Sequence, residues 1–380
     1  MTRETVPLGE AARLVGGGTP SKARSDYWGE GVPWITSADI ADDGTIVERA
    51  QITPVGVASN PGSIAAANSV LLVTRTGVGK TALTNWPLAF SQDIVAFTDH
   101  PRIDASYLRH FLRSSSSALK QRARGATILG VTRDDVLSLR IPLPPLPEQR
   151  RIAAILDEAE ALNRPATTAL RKLAALRQSL FASAVSEVRT RVSIADVALK
   201  VTDGTHQAPG WSITGVPFLF VSNITSGSID YSTTKYVSPE TYDRLTRHSP
   251  IEKGDVLYSA VGSYGVPAVV DSDEPFLFQR HIAHIKPRPD VVDSWYLHAA
   301  LGSSDFLNQA HKVARGVAQK TVTLGDLSRL TIPLPNVEAQ RHVAEQLKAV
   351  RRAHTIVTHQ RSSIRTLFAS LQHRAFRGEL

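Results

Sequence analysis

Ala123-Arg124-Gly125, Ile141-Pro142-Leu143-Pro144, Gln149-Arg150 and Leu176-x-x-Ser179-Leu180 return 191 residues later. The second set is Ala314-Arg315-Gly316, Ile332-Pro333-Leu334-Pro335, Gln340-Arg341 and Leu367-x-x-Ser370-Leu371. Residues 123–185 align with 314–376 without a gap, with 20 identities in 63 positions. Self-similarity at a fixed period marks a repeat architecture. Upstream the match is gapped, but Gly31-Val32-Pro33 pairs with Gly215-Val216-Pro217 and Tyr107-Leu108 with Tyr296-Leu297. Each half is a variable block followed by a similar tail. The expected segments are a globular domain over 1–145, a helical spacer over 146–190, a second domain over 191–335 and a second spacer over 336–380.

The tails read as helices. Ile152, Ile155, Ala159, Leu162, Ala166, Ala169, Leu173, Leu176 and Leu180 follow one another in steps of three and four. Val343, Gln346, Val350, Ala353, Val357, Gln360, Ile364, Leu367 and Leu371 do the same in the second copy. These are a/d heptad series, and two such seams in one chain bury each other most simply as an antiparallel coiled coil. The polar Gln346 and Gln360 would fix its register or rotate to its edge. Each Ile-Pro-Leu-Pro segment, which cannot be helical, marks a domain exit. Pro165 predicts a kink, or a break with Asn163 capping a new helix.

The variable blocks carry short β-type runs bounded by turn residues: Val32–Thr36, Val70–Thr74, Ile94–Phe97, Val216–Val221, Val256–Ser259 and His281–Ile285. Short amphipathic helices near Tyr107–Leu119 and Trp295–His311 precede the Arg-Gly turns, the first read as Arg-Gly-Ala-Thr. The expected fold class is α+β: a small mixed α/β globular domain followed by a long helix, the whole repeated in tandem. About 40 residues of helix span about 60 Å. A head at each end of such a rod could address two DNA half-sites. Four residues inserted in both helices add about 6 Å of rise, the length of about two base pairs.

Composition removes several chemistries. With 42% apolar and 21% charged residues, the 380-residue chain is an ordinary globular one, and it contains no cysteine. Disulfides, thiolate metal sites and thiol nucleophiles are excluded. No apolar run reaches transmembrane length and no signal-peptide core follows the N-terminus, so a cytoplasmic location is expected. The formal charge of +8 and pI near 9.7 invite a nucleic-acid reading. The charge is spread unevenly: +2 over 1–145 (15 basic against 13 acidic), +2 over 146–190 (7 against 5), −1 over 191–335 (13 against 14) and +5 over 336–380 (8 against 3). Any DNA contact must therefore come from local patches.

No complete active site is legible. Gly77-Val78-Gly79-Lys80-Thr81 hints at a phosphate loop, but no glycine occupies Thr74, Arg75 or Thr76, where the full motif needs one. Its repeat partner, Gly262-Ser263-Tyr264-Gly265, has no lysine. A Gly-rich turn is the better reading, and nucleotide use at Lys80 the poorer one. Asn60-Pro61-Gly62 reads as a turn, not as an adenine-methyltransferase motif. His281 and His284 would face opposite sides of a strand, a poor metal geometry, and Asp203 with His206 fits a hydrogen-bonded turn. No catalytic or metal residue is assigned. The candidate DNA contacts are basic loop residues: Lys22 and Arg24; Arg75 and Lys80 beside the Gly-rich turn; Lys120, Arg122 and Arg124, in a segment with Arg109 and Arg113 that has no acid; and Lys312, Arg315 and Lys320 beside His311. Arg374 and Arg377 are expected to face a partner or solvent.

Together these pieces resemble a DNA specificity subunit of type I restriction-modification systems. Gly16-Gly17-Gly18-Thr19-Pro20-Ser21 with Tyr27-Trp28 and Pro33-Trp34-Ile35-Thr36 is similar to one opening of that family's target recognition domain. Asp203-Gly204-Thr205-His206 with Pro209, Gly254-Asp255-Val256-Leu257 and the Gly262 turn resemble another. The Ile-Pro-Leu-Pro segments, Glu148-Gln149-Arg150-Arg151 and the closing Ala375-Phe376-Arg377-Gly378-Glu379-Leu380 look like its helical spacers. The chain departs from the pattern at Pro165, and at Glu148, whose counterpart is Ala339. The resemblance implies two target recognition domains that read a split target in double-stranded DNA. It also implies two adenine methyltransferase subunits on the helices and a separate motor–nuclease subunit. Catalysis and S-adenosylmethionine would then belong to the methyltransferase. The competing reading is a stand-alone two-headed DNA-binding or scaffolding protein, which would bind DNA tightly without a partner.

Overall fold

The computed structural model describes residues 5–60, 63–125, 129–316 and 319–380; the turn readings at Pro61-Gly62 and Ala126-Thr127 lie outside them. Contacts divide the chain into unit one, Met1–Thr167 with His359–Leu380, and unit two, Thr168–Thr358. These boundaries cut through helices rather than falling at 146, 191 and 336, because each globular block packs on parts of both helical tails.

Unit one carries, in chain order, β1 (Thr5–Pro7), β2 (Arg13–Gly16), β3 (Trp28–Ile35), β4 (Ala50–Ile52), β5 (Ile64–Ala65), β6 (Val70–Val73), β7 (Thr81–Leu83), β8 (Leu88–Phe90), β9 (Ile94–Asp99) and β10 (Arg140–Pro142). One sheet has the order β2-β9-β6-β7, all antiparallel; the other runs β4-β3-β8-β5, with β3 and β8 parallel at Trp34↔Ala89. Every residue of β6 is buried, as expected of an apolar strand covered on both faces.

Unit two repeats the plan. Its strands are β11 (Arg191–Ser193), β12 (Ala198–Asp203), β13 (Val216–Leu219), β14 (Tyr236–Val237), β15 (Val256–Ser259), β16 (Pro267–Val269), β17 (Leu277–Phe278), β18 (Ile282–Pro287) and β19 (Thr331–Pro333). Its sheets have the orders β12-β18-β15-β16 and β14-β13-β17, with β13 and β17 parallel. All six β-type runs expected from the sequence are strands. The two expected helices are each divided, into Ala105–Ser114 and Ser116–Arg122, and into Ser294–Leu301 and Ser304–Val313.

The Ile-Pro-Leu-Pro segments do more than end a domain. β10 pairs with β1 and β19 with β11, so each closes the start of its block onto its end. Tyr107 donates its hydroxyl proton to the Pro142 carbonyl (3.0 Å), and Tyr296 does the same to Pro333 (2.7 Å). Buried Gln149 accepts from the Asp104 N–H (2.9 Å) and donates to the Arg102 and Pro144 carbonyls. Buried Gln340 repeats this with Asp293, Val291 and Pro335. The first turn of each spacer is thereby held on the block it follows.

The spacers are Leu146–Ala161 with Asn163–Val185, and the unbroken Val337–Arg377. Ile152, Ala153, Leu156 and Ala159 share a core with Phe368 and Ala375 in unit one; in unit two, Val343 and Leu347 share one with Phe181. In each unit the start of one spacer meets the end of the other, the antiparallel sense. The a/d seam needs correction. Leu162, Leu176 and Leu367 are 52%, 45% and 51% exposed, and Gln346 and Gln360 are exposed. Ile152 and Val343 are buried, while Ile155, Leu173, Leu180, Val350, Val357, Ile364 and Leu371 are half-buried. The deeply buried stripe, Ile152-Ala153-Leu156-Ala159-Glu160, has the wider spacing of a helix docked on a globular face rather than of a narrow coiled-coil seam. The first spacer breaks at Leu162. Pro165 then lies in the first turn of the next helix, where its missing N–H is harmless. Asn163 does not cap that helix: its Oδ1 is buried without a hydrogen-bond partner.

An ion cluster fastens the first spacer in unit one. Arg109 bonds Asp157 (2.9 Å) and Glu160 (2.6 Å), Arg113 pairs with Glu160, and His110 Nε2 bonds Asp157 (2.8 Å). His110, Asp157 and Glu160 offer ligand atoms within 4.8 Å of one another, yet both carboxylates are already held by guanidinium groups. In unit two the matching helix buries His298, and that burial pushes its pKa down to about 4. A neutral buried histidine stabilises the fold above its ordinary pKa of 6.5, and that contribution is lost as pH falls towards 4. Acidification from pH 7 to 4 should cost unit two about 3 kcal/mol, and His298→Gln should flatten the dependence in urea titrations.

Candidate nucleic-acid interface

The sequence-predicted basic loops are built the same way in both units. Arg124 and Gly130 exchange backbone hydrogen bonds (2.8 and 3.0 Å), closing a tight loop, and the Val131 N–H donates to the Thr74 carbonyl beside the Gly-rich turn. Arg75 forms a second bridge to Gly130. In unit two, Arg315 and Thr321 exchange the same bonds (2.9 and 2.8 Å), Val322 donates to Ala260, and Val261 bridges Thr321 in the place of Arg75. Gly125 and Gly316 take φ of +139° and +108°, and a Cβ on Gly316 would lie 2.3 Å from the Gln319 carbonyl oxygen. That conformation accounts for the repeated Arg-Gly pair.

The fold thus brings Arg75 and Arg124 onto one loop edge, with Lys120 on the helix that leads into it. In unit two Arg315 is the counterpart of Arg124, with Lys312 on the helix that leads into the same loop and Lys320 in it, and all six are exposed. Arg315 lies 3.7 Å from Asp326. Among the described residues, Arg75, Lys120, Arg124, Lys312 and Lys320 have no acid within ion-pair distance. Three other candidates are committed elsewhere. Arg24 holds Asp26 through two bonds (2.8 and 2.6 Å) and stacks on Tyr27. Arg122 donates to the Asp135 carbonyl and Ser138. Lys80 donates to the Ile40 carbonyl (3.1 Å) and pairs with Asp42 (3.4 Å). Lys22 is exposed on the separate segment that Trp28 Nε1 ties at the Ser21 carbonyl.

The Gly-rich turn beside Lys80 spends its amides internally. The Gly79 N–H donates to the Val73 carbonyl and the Lys80 N–H to Gly77, so neither is offered to a phosphate. Elsewhere, His284 is buried against Asp255 (2.7 Å) and His206 pairs with Asp203 at the surface. Sequence reasoning missed the roles of Gln149, Gln340, Asp157 and Glu160. The repeat alignment carried a signal for the two glutamines and none for the acids, which the second copy replaces.

The sequence profile of the type I restriction modification DNA specificity domain matches residues 2–172 and 219–365. The chain belongs to that family. The Escherichia coli EcoR124I/EcoR124II specificity subunit is 32% identical over 183 residues, which cover 46% of this chain and 45% of that one. The E. coli EcoBI specificity subunit is 26% identical over 312 residues, 72% and 65% of the two chains. These matches span less than two thirds of either relative. The MjaVIII specificity subunit of Methanocaldococcus jannaschii is 23% identical over 370 residues, 91% and 85% of the chains. The crystal structure of a type I restriction-modification S subunit from M. genitalium shares the fold, with a TM-score of 0.59, 13% identity and 99% of each chain covered. Among the described residues no helix is long and apolar enough to cross a membrane.

Proposed function

We propose that this chain is the DNA recognition subunit of a type I modification system. It reads a two-part target and positions two adenine methyltransferase subunits, with a motor–nuclease subunit in the full complex, and performs no chemistry itself. S-adenosylmethionine then sits in the methyltransferase. The observation that carries the reading is the duplicated loop: an Arg-Gly turn fixed by the same hydrogen bonds in both units, each with exposed cations. Cations so placed neutralise phosphates and can bond guanine edges. The half-exposed Leu162, Leu176 and Leu367 on the spacers supply apolar area for a protein partner.

Arg124→Ala and Arg315→Ala should each weaken DNA binding by the assembled complex and lower the slope of log affinity against log salt by about one. An unchanged slope in filter-binding titrations would remove the loop from the interface. The whole reading is tested by modification-detecting sequencing of genomic DNA with and without the gene. Methylated adenines in one gapped motif should vanish in the deletion. Methylation that persists, together with tight DNA binding by the chain alone, would favour a stand-alone DNA-binding protein.

A further inference from the structure

The duplication provides an internal control for the joint between block and spacers. In unit one the joint is electrically self-sufficient: Arg109 and Arg113 meet Asp157 and Glu160, and Arg113 stacks on Phe368. The repeat alignment puts Lys348 at the place of Asp157, Arg351 at that of Glu160 and Arg177 at that of Phe368. On the spacer side unit two has therefore exchanged two acids and a ring for three cations, while on the block side His298 and Gly302 stand at the places of Arg109 and Arg113.

The exchange is only partly compensated. Lys348 pairs with Glu345 on its own helix (2.8 Å). Arg351 bonds Asp271 through Nη2 (3.0 Å) and lies against the Trp295 ring (4.6 Å). Its Nη1 is buried with no hydrogen-bond partner, and so is Nε2 of His298, a residue only 8% exposed. Arg177 has no acid within 4.0 Å among the described residues. Arg177, Trp295, His298, Arg351 and His354 line one cavity of about 220 Å³, with Ser226 and Ser228 at its edge. Native proteins rarely leave buried donors unpaired, and Arg351 Nη1 is such a donor on a residue that lines a cavity whose charged lining is cationic.

We propose that this cavity is an oxyanion site. Unit two would take a carboxylate or phosphate from outside, held by the spacer arginines Arg351 and Arg177, where unit one has its own carboxylates of Asp157 and Glu160. The guanidinium groups of Arg351 and Arg177 donate charge-assisted bonds to it, and Trp295 walls one side. The inference rests on the chain's own geometry and stands apart from the function proposed above. A free phosphate-bearing molecule and an acidic side chain of a docked protein present the same chemistry.

Full-length protein is titrated at neutral pH with inorganic phosphate and, separately, with N-acetyl-glutamate amide, which presents a carboxylate as a protein does. Calorimetry and thermal unfolding are both followed. A saturable response to at least one probe is expected, with a rise in Tm. Arg351→Gln and Arg177→Gln should each weaken it about tenfold or more, while Arg244→Gln, at an exposed position that does not line the cavity, leaves it unchanged. Preference for phosphate identifies a free phosphate ligand as the source, and preference for the carboxylate an acidic side chain. No saturable response to either probe, or one that survives both substitutions, overturns the site. Arg177 is exposed, so its variant keeps the test valid should Arg351→Gln fail to fold.

Discussion

Gln149→Leu should destabilise unit one by about 3–6 kcal/mol, because it strands three backbone groups at once. The Asp104 N–H loses its acceptor, and the Arg102 and Pro144 carbonyls lose their donor. Gln149 is 1% exposed, so water does not take over these bonds. Leucine matches the volume, which isolates the hydrogen-bond loss from any cavity. Gln340→Leu should act alike on unit two through Asp293, Val291 and Pro335. Two units rule out a single two-state analysis. Hydrogen exchange resolved by peptide assigns each loss to its unit, and a change below about 1 kcal/mol would contradict the lock.

Glu160→Ala is the second large effect, about 3–5 kcal/mol in unit one, since removing one partner of a buried ion pair leaves uncompensated charge. Arg109 is 9% exposed and Glu160 6%. Arg109→Met with Glu160→Leu should recover only part of that loss: the apolar pair needs no solvation, but Arg113 still loses its carboxylate partner. Acid acts on the same cluster. Burial opposes ionisation of Asp157, but hydrogen bonds from His110 and Ser106 and the Arg109 charge outweigh it and hold its pKa at about 2. A depressed carboxylate stabilises above its ordinary value, 3.8, and that share is lost as pH falls through 2. Its side chain is 43% exposed, so screening leaves about 1 kcal/mol. Burial also lowers His110, so unit one weakens on acidification through both groups. Urea midpoints of the wild type and the apolar pair, compared between pH 7 and 3, check this: the apolar pair should fall less.

What could be read from the sequence was whatever the duplication printed twice. The Arg-Gly turns, the Ile-Pro-Leu-Pro exits and the strands at Val70 and Val256 carry local signals of turn, breaker and apolar run, and each proved structural. The helical seam was misplaced for a physical reason. A 3.5-residue period and the buried face of a docked helix share Ile152 and Val343 and then diverge, so Leu162 and Leu367 satisfy the pattern while facing out. Whether a basic loop residue is free or committed was not legible. Arg24 and Arg124 look alike in sequence, and only the neighbour Asp26 separates them. The joint clusters join residues about 50 positions apart, a pairing that no local pattern specifies.

A chain that carries the same module twice faces a sorting problem as it folds, since each block docks a spacer start through the same glutamine lock. The inverted charges at the joints act as address labels. Were the turn bearing Lys348 and Arg351 to settle on the surface of Arg109 and Arg113, four cations would share a space that now holds two cations and two acids. Like charges set together without water are strongly disfavoured. Divergence at these positions therefore lets both blocks keep the same glutamine lock without scrambling the order in which their pieces assemble.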